Sequence, residues 1–268
     1  MKIKTIFKSL ALFLLIAIIS FPLQAQNRLN KILERGEIVI GMSGNQPPFS
    51  MKAKSGDLIG YEVDIAKVLA ESMNVKLKIE QLPFGDLLPA LKDGKVDLVM
   101  SGMTMTPKRN LEAAFVGPYV LSGKSILTKS SILARAEESE EINQTNLKLA
   151  TLKGSTSEDF VKNFLENTSL SLVDDYDQAV KMLSNDEIDA VVADYPICVL
   201  TMARYPEAGF ATLNQPFTIE PIGMALPPDD VLLLNMIQNY FNAMLLAGLL
   251  EGLEEYWFED GSWLIQIE

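Results

Sequence analysis

Leu98-Val99-Met100-Ser101-Gly102-Met103-Thr104-Met105-Thr106-Pro107-Lys108-Arg109-Asn110 is the stretch whose reading decides the fold. Leu98 to Met100 read as the end of a short buried strand, and Ser101-Gly102 leaves it. Thr is a good N-cap and Pro suits the first helical position, so Thr106-Pro107 predicts a helical turn carrying Lys108 and Arg109. Such a strand-to-helix turn points backbone N–H groups beyond the strand's carboxyl end. With the Arg109 fork beside them, that spot should attract a carboxylate or phosphate.

Working outward from this stretch, short apolar strands alternate with amphipathic helices. Glu37 to Met42 forms a buried strand, and Gly60-Tyr61-Glu62-Val63-Asp64 opens a helix whose Val63, Ala66, Leu69, Ala70 and Met73 share one face. Glu62 and Asp64 lie in its first turn, where the macrodipole favours acids, and that explanation is sufficient for both. Val75 to Gln81 alternates as a strand. Asp86 is expected to cap the helix that contains Pro89 and ends at Lys92-Asp93-Gly94-Lys95.

An internal echo follows. Leu91-Lys-Asp-Gly-Lys-Val-Asp97-Leu-Val-Met-Ser-Gly102 aligns with Leu183-Ser-Asn-Asp-Glu-Ile-Asp189-Ala-Val-Val-Ala-Asp194 at an offset of 92 residues. Each copy reads as helix, tight turn, short apolar strand, then a polar residue opening the next helix. Two such α/β units imply two lobes, each with its own sheet and a ligand-facing strand end. The echo puts Gly102, with its Thr-Pro-Lys-Arg turn, and Asp194 at corresponding positions. A second strand–loop–helix turn follows the strand Leu147 to Thr151, at Gly154-Ser155-Thr156-Ser157-Glu158. Asp194-Tyr195-Pro196 is expected to cap a helix. Residues 131–143 read as a surface helix and loop. Leu121-Ser122-Gly123-Lys124 and Gln215 to Pro221 read as crossings between lobes, and a long helix follows from Asp229.

Composition narrows the function classes. Lys2, Lys4 and Lys8 precede the apolar run Leu10 to Ile19, and Pro22-Leu23-Gln24-Ala25 resembles a cleavage region, so residues 1–25 read as a secretory signal peptide. Without that segment 20 basic residues face 35 acidic ones, a formal charge of about −15. That charge argues against nucleic acid or an anionic membrane as partner. Cys198 is the sole cysteine and reads as a small core residue. Histidine is absent, which removes Ser-His-Asp and Cys-His catalysis and any His-ligated metal site. No Gly-rich phosphate loop and no metal-ligand spacing appears, so neither cofactor nor metal is expected.

Residues 102–109, Gly-Met-Thr-Met-Thr-Pro-Lys-Arg, closely resemble the Gly-Met-Thr-x-Thr-Pro-x-Arg signature of the periplasmic amino-acid-binding proteins of ABC importers, solute-binding family 3. Pro47-Pro48-Phe49, Gly60 to Asp64 and the Gly154-Ser-Thr-Ser turn match further signatures of that family. The resemblance covers essentially the whole chain after the signal peptide. It implies an α/β, two-lobed type II periplasmic binding fold: residues 26–120 form the first part of lobe 1, 121–216 lobe 2, and 217–268 the second part of lobe 1. It implies that Arg109 grips a ligand's α-carboxylate, helped by N–H groups near Thr104 and Thr156, with Gly102 also among the ligand-binding residues. Asp194 would take the α-ammonium and Phe84 would cover the ligand. Gln46 departs from the pattern, standing where the family usually has Tyr or Phe before Pro-Pro-Phe. With Ser43 and Asn45 nearby, the ligand's side chain is expected to face amides and a hydroxyl.

The expected protein is not an enzyme. It is a periplasmic receptor that captures an amino acid or similar carboxylate by closure and hands it to an ABC permease. The rival from another class is an exported enzyme of the cyclohexadienyl (arogenate) dehydratase branch. There Glu instead of Asp is expected at position 194, and the shorter Asp favours binding. A ligand-sensing module is the third reading, disfavoured because no kinase follows Glu268.

Overall fold

A computed structural model describes residues 27–267 apart from residue 145; the signal-peptide reading of residues 1–25 lies outside the described residues. In chain order the elements are α1 Arg28–Arg35, β1 Glu37–Met42, β2 Met51–Lys52, β3 Leu58–Ile59, α2 Tyr61–Ser72, β4 Lys76–Gln81, α3 Leu87–Lys92, β5 Leu98–Val99, α4 Pro107–Asn110, β6 Ala114–Ser122 and β7 Lys124–Thr128. They continue as β8 Lys148–Leu152, α5 Thr156–Phe164, β9 Ser169–Val173, α6 Tyr176–Ser184, β10 Ala190–Asp194, α7 Tyr195–Arg204, β11 Ala211–Thr212, β12 Glu220–Leu226, α8 Val231–Leu246 and α9 Leu249–Glu254.

Two five-stranded sheets organise the chain, one per lobe, in the orders β4-β1-β5-β12-β6 and β11-β7-β10-β8-β9. In each, three strands run parallel (β4, β1, β5; β9, β8, β10) and an antiparallel strand (β12; β7) is added beside the central one. The sequence echo has a physical cause here. Asp97 donates its N–H to Val39 O at 2.7 Å, and its carboxylate accepts the Val39 N–H at 2.8 Å. Asp189 treats Lys148 the same way, at 2.8 and 2.7 Å. Each Asp thus closes the entry to its sheet's central parallel pair, its carboxylate answering a backbone donor of that pair, buried at Asp97 and exposed at Asp189.

Alternation along the strands covers both faces of the second sheet. Ile126, Leu149 and Val192 pack with Phe160 and Val161 of α5. Leu127, Ala150 and Val191 belong to the larger core that includes Ala179 and Leu183 of α6 and Ile197 of α7. Burying such a Leu, Ile or Phe side chain contributes about 1.5–3 kcal/mol, so each helix is fixed by its apolar stripe more than by propensity.

The two crossings lie against each other. β6 ends at Ser122 and β7 begins at Lys124, while the return crossing enters β12 at Glu220. Lys124 N–H donates to Thr218 Oγ1 at 2.9 Å, and Phe217 N–H donates to Lys124 O at 2.8 Å. The chain therefore leaves and re-enters the first sheet through one paired hinge.

Several local expectations are corrected. Residues 131–143 hold two short 3-10 turns, Leu133–Arg135 and Ser139–Ile142, because Ala134 and Ile142 are drawn into the core. Asp86 makes no side-chain cap bond. The long helix is capped by Asp230, one residue later than expected. Its Oδ1 accepts the Leu233 N–H at 3.0 Å, while Oδ2 accepts the Leu29 N–H at 2.8 Å and ties α1 to α8. Among the described residues no single helix is long and apolar enough to cross a bilayer.

Candidate ligand-binding cleft

The loop after β5 is built from its small residues. Gly102 has φ +58°, where a side chain is strained, and its N–H donates to Glu62 Oε1 at 2.8 Å. That N–H therefore points to the buried first turn of α2, where Tyr119 also donates to Glu62 Oε1. Ser101 Oγ lies 3.2 Å from Gln46 Oε1, and Gln46 is buried, its main chain bridged to Ser50. Gln46 thus supports the loop's inner side. Met103 and Met105 then bond to Gly223 and Pro221 of β12, which seats Thr104 against the hinge.

Thr106 caps α4, accepting the Arg109 N–H at 3.2 Å, as its sequence position requires. The short turn aims Arg109 back across the cleft. One guanidinium nitrogen donates to Thr104 O at 2.9 Å in the first lobe, the other to Gly154 O at 3.2 Å in the second. The guanidinium lies 5.6 Å from the centroid of the Phe84 ring, a cation–π contact. Among the described residues no carboxylate stands within ion-pair distance of Arg109. Burial pushes its pKa down, and the charges of Asp194, Glu220 and Asp159 push it back up.

From the second lobe, Ser155 caps α5 and Thr156 opens it, with Thr156 Oγ1 3.2 Å from Thr104 Oγ1. Asp194 ends β10 and holds the N-cap position of α7, yet its side chain makes no cap bond. This corrects the capping expectation: the carboxylate turns instead to the Lys124 ammonium, a stronger, charge-assisted partner. Lys124 is 1 % exposed and pairs with Glu220 as well, at 2.9 Å. Burial and the Glu220 charge raise the pKa of Asp194, and Lys124 and Arg109 oppose them. For Glu220, burial also pushes upward but is outweighed by Lys124 and the hydroxyls of Thr156 and Thr104, leaving it below the ordinary value.

Of the seven residues singled out from sequence, Arg109, Thr104, Thr156 and Phe84 meet at the lobe interface, and Asp194 reaches it through Lys124. Gly102 and Gln46 support the loop from inside. Sequence reasoning missed Lys124 and Glu220. The available signal was a lysine opening Lys-Ser-Ile-Leu-Thr, a strand buried at every position. Cavities open between the lobes on either side of this cluster's neighbours. One of about 510 Å³ is lined by Phe84, Asp86, Gly154 and Glu158, and another of about 340 Å³ by Ser43, Asn45, Gln81, Asp175 and Arg204. Neither is lined by Arg109 or Asp194, between which stand the threonines, Glu220 and Lys124.

A hinged pair of α/β lobes with charged groups converging from both sides defines a cleft-closing binding protein. Residues 38–260 match the model of the bacterial extracellular solute-binding proteins, family 3, and the chain belongs to that family. It is 29 % identical over 250 residues to a cyclohexadienyl dehydratase of Pseudomonas aeruginosa, covering 93 % of each chain. Identity to the L-cystine-binding protein TcyJ of Escherichia coli is 26 % over 230 residues, covering 86 % of this chain and 85 % of that one. Among solved structures, the putative binding component of an ABC transporter from Wolinella succinogenes, complexed with lysine, superposes with a TM-score of 0.81 at 33 % identity, covering 86 % of this chain and 99 % of that one.

Proposed function

We propose that this chain is an extracytoplasmic solute-binding protein of the periplasm, exported through its N-terminal segment, that captures a small amino-acid-like ligand between its lobes and delivers it to an ABC permease. The carrying observation is Arg109, a guanidinium that touches both lobes and has no carboxylate partner among the described residues. It is free to meet a guest's carboxylate in a two-pronged ion pair, and Asp194 offers a carboxylate for an ammonium. A guest held by both lobes shifts an open–closed equilibrium by its differential affinity. Lobe 1 is taken as residues 26–120 with 217–268, and lobe 2 as 121–216.

A thermal-shift screen of the twenty amino acids and related organic acids tests the reading. Arg109→Ala should abolish guest-induced stabilisation and, with its bonds to Thr104 O and Gly154 O gone, lower the guest-free melting temperature only modestly; collapse of guest-free stability makes Arg109 structural. Asp194→Asn should weaken amino acids far more than simple carboxylates, and equal losses would count against the ammonium role. The second reading is an exported dehydratase, favoured by the likeness to the Pseudomonas enzyme and by the buried Asp194–Lys124 pair, which could exchange a proton. Consumption of prephenate or arogenate by the purified protein decides for it.

A further inference from the structure

We propose that Glu220 is an internal ligand of the cleft: its carboxylate fills an oxyanion cage spanning both lobes, holds them closed with no guest present, and so directs any guest carboxylate to Arg109. Three donors converge on Glu220 Oε2: Thr104 Oγ1 at 2.9 Å, Thr156 Oγ1 at 2.8 Å and Lys124 Nζ at 2.9 Å. The other oxygen lies 3.3 Å from the Thr218 hydroxyl, also a donor. Thr104 belongs to the loop after β5 in the first lobe, Thr156 opens α5 in the second, and Lys124 opens β7 at the hinge. Hydrogen bonds to an ionised acceptor are roughly twice as strong as neutral ones, so this one oxygen is a strong polar tie between the lobes.

The chemistry of the cage is generic. Two hydroxyls and an ammonium suit any carboxylate oxygen, and Glu220 supplies one at high effective concentration because β12 carries it to the spot. Opening the lobes draws Thr156 away from Thr104 and Glu220, so closure and occupation of the cage are one event. Lys124 keeps Asp194 when Glu220 is removed, so its charge stays answered. A guest's carboxylate finds the cage filled and Arg109 free. This goes beyond the capture reading and is tested without any amino acid, so the two can fail separately.

The full chain, freed of co-purified guest by dialysis out of denaturant, is compared with Glu220→Ala by small-angle X-ray scattering and by melting, with and without sodium formate. Wild type should have the compact radius of the closed form and ignore formate. Glu220→Ala should show a larger radius of gyration and melt lower by about 5 °C. Formate should restore compactness and part of the melting temperature in the variant alone. A variant as compact as wild type, a wild type already open, or formate acting equally on both overturns the proposal. Thr104→Val combined with Thr156→Val leaves every charge in place and should open the lobes too. It decides the matter if Glu220→Ala does not fold, a compact double variant standing against the cage.

Discussion

Glu62 shows what a single buried acid does beneath the binding loop. A macrodipole argument accounts for an acid in the first turn of α2, yet the carboxyl is wholly buried and takes the Gly102 N–H and the Tyr119 hydroxyl on one oxygen. Its other oxygen is buried without a partner among the described residues. Burial lifts its pKa from 4.5 to about 7, and the two hydrogen bonds offset only part of that rise. Between those two values the unfolded chain gives up a proton that the folded chain retains. Stability from this group therefore falls as pH rises through the window, and the loss is complete above about 7. Glu62→Gln keeps an acceptor for Gly102 and removes the titration. Urea unfolding at pH 5 and pH 8 should show the variant gaining on wild type by up to about 3 kcal/mol at the higher pH. Parallel pH profiles would mean that the carboxyl ionises freely in the fold. The sequence placed Glu62 correctly on α2 but not its task, because the partners Gly102 and Tyr119 lie 40 and 57 residues away.

At the level of elements, strands and capped helices were legible because their causes are local. Thr106 with Pro107 makes the cap expected of it, the turn expected at Gly154 to Glu158 opens α5 with Ser155 as its cap, and the Asp97 and Asp189 echo marks two equivalent sheet entries. The hinge was legible only as a pair of crossings, since its chemistry pairs residues distant in sequence. Lys124 meets Asp194 from 70 positions away, and nothing near either residue announces the other. Asp194 itself showed the limit of local rules: capping preference favours it, and a buried ammonium outcompetes the cap. Gly123 is where the crossings press closest, for a Cβ there would stand 1.9 Å from the Thr218 carbonyl oxygen. Gly123→Ala must push two backbones apart and should destabilise by about 2–3 kcal/mol in urea unfolding. Gly252 in α9 has nothing within 4 Å of the same added atom. Gly252→Ala should therefore stabilise by about 0.5–1 kcal/mol through helix entropy. Equal effects of the two changes would show that the hinge backbones yield freely.

Over the whole molecule, closure rests on a few polar ties of unequal worth. Lys108 reaches Asp159 across the lobes at 3.5 Å, but both side chains are more than half exposed, and such pairs contribute about 0–1 kcal/mol. Arg109 differs because its planar fork touches Thr104 and Gly154 together while its face lies over Phe84. Lysine preserves the charge there but not the fork, so one ammonium cannot meet both oxygens of a carboxylate and span the lobes. With the best amino acid from the screen held at 100 times its wild-type Kd, mass action stabilises wild type by about 2.7 kcal/mol. Losing a charge-assisted prong of about 2 kcal/mol lowers affinity roughly thirtyfold, so Arg109→Lys should retain under about 1 kcal/mol of that gain at the same concentration. Lys108→Ala should retain all of it. Calorimetric melting of the three proteins with and without guest measures both numbers. A loss in Lys108→Ala with none in Arg109→Lys would place guest recognition in long-range charge, since only a fork-dependent contact makes the charge-preserving change at Arg109 the costlier one.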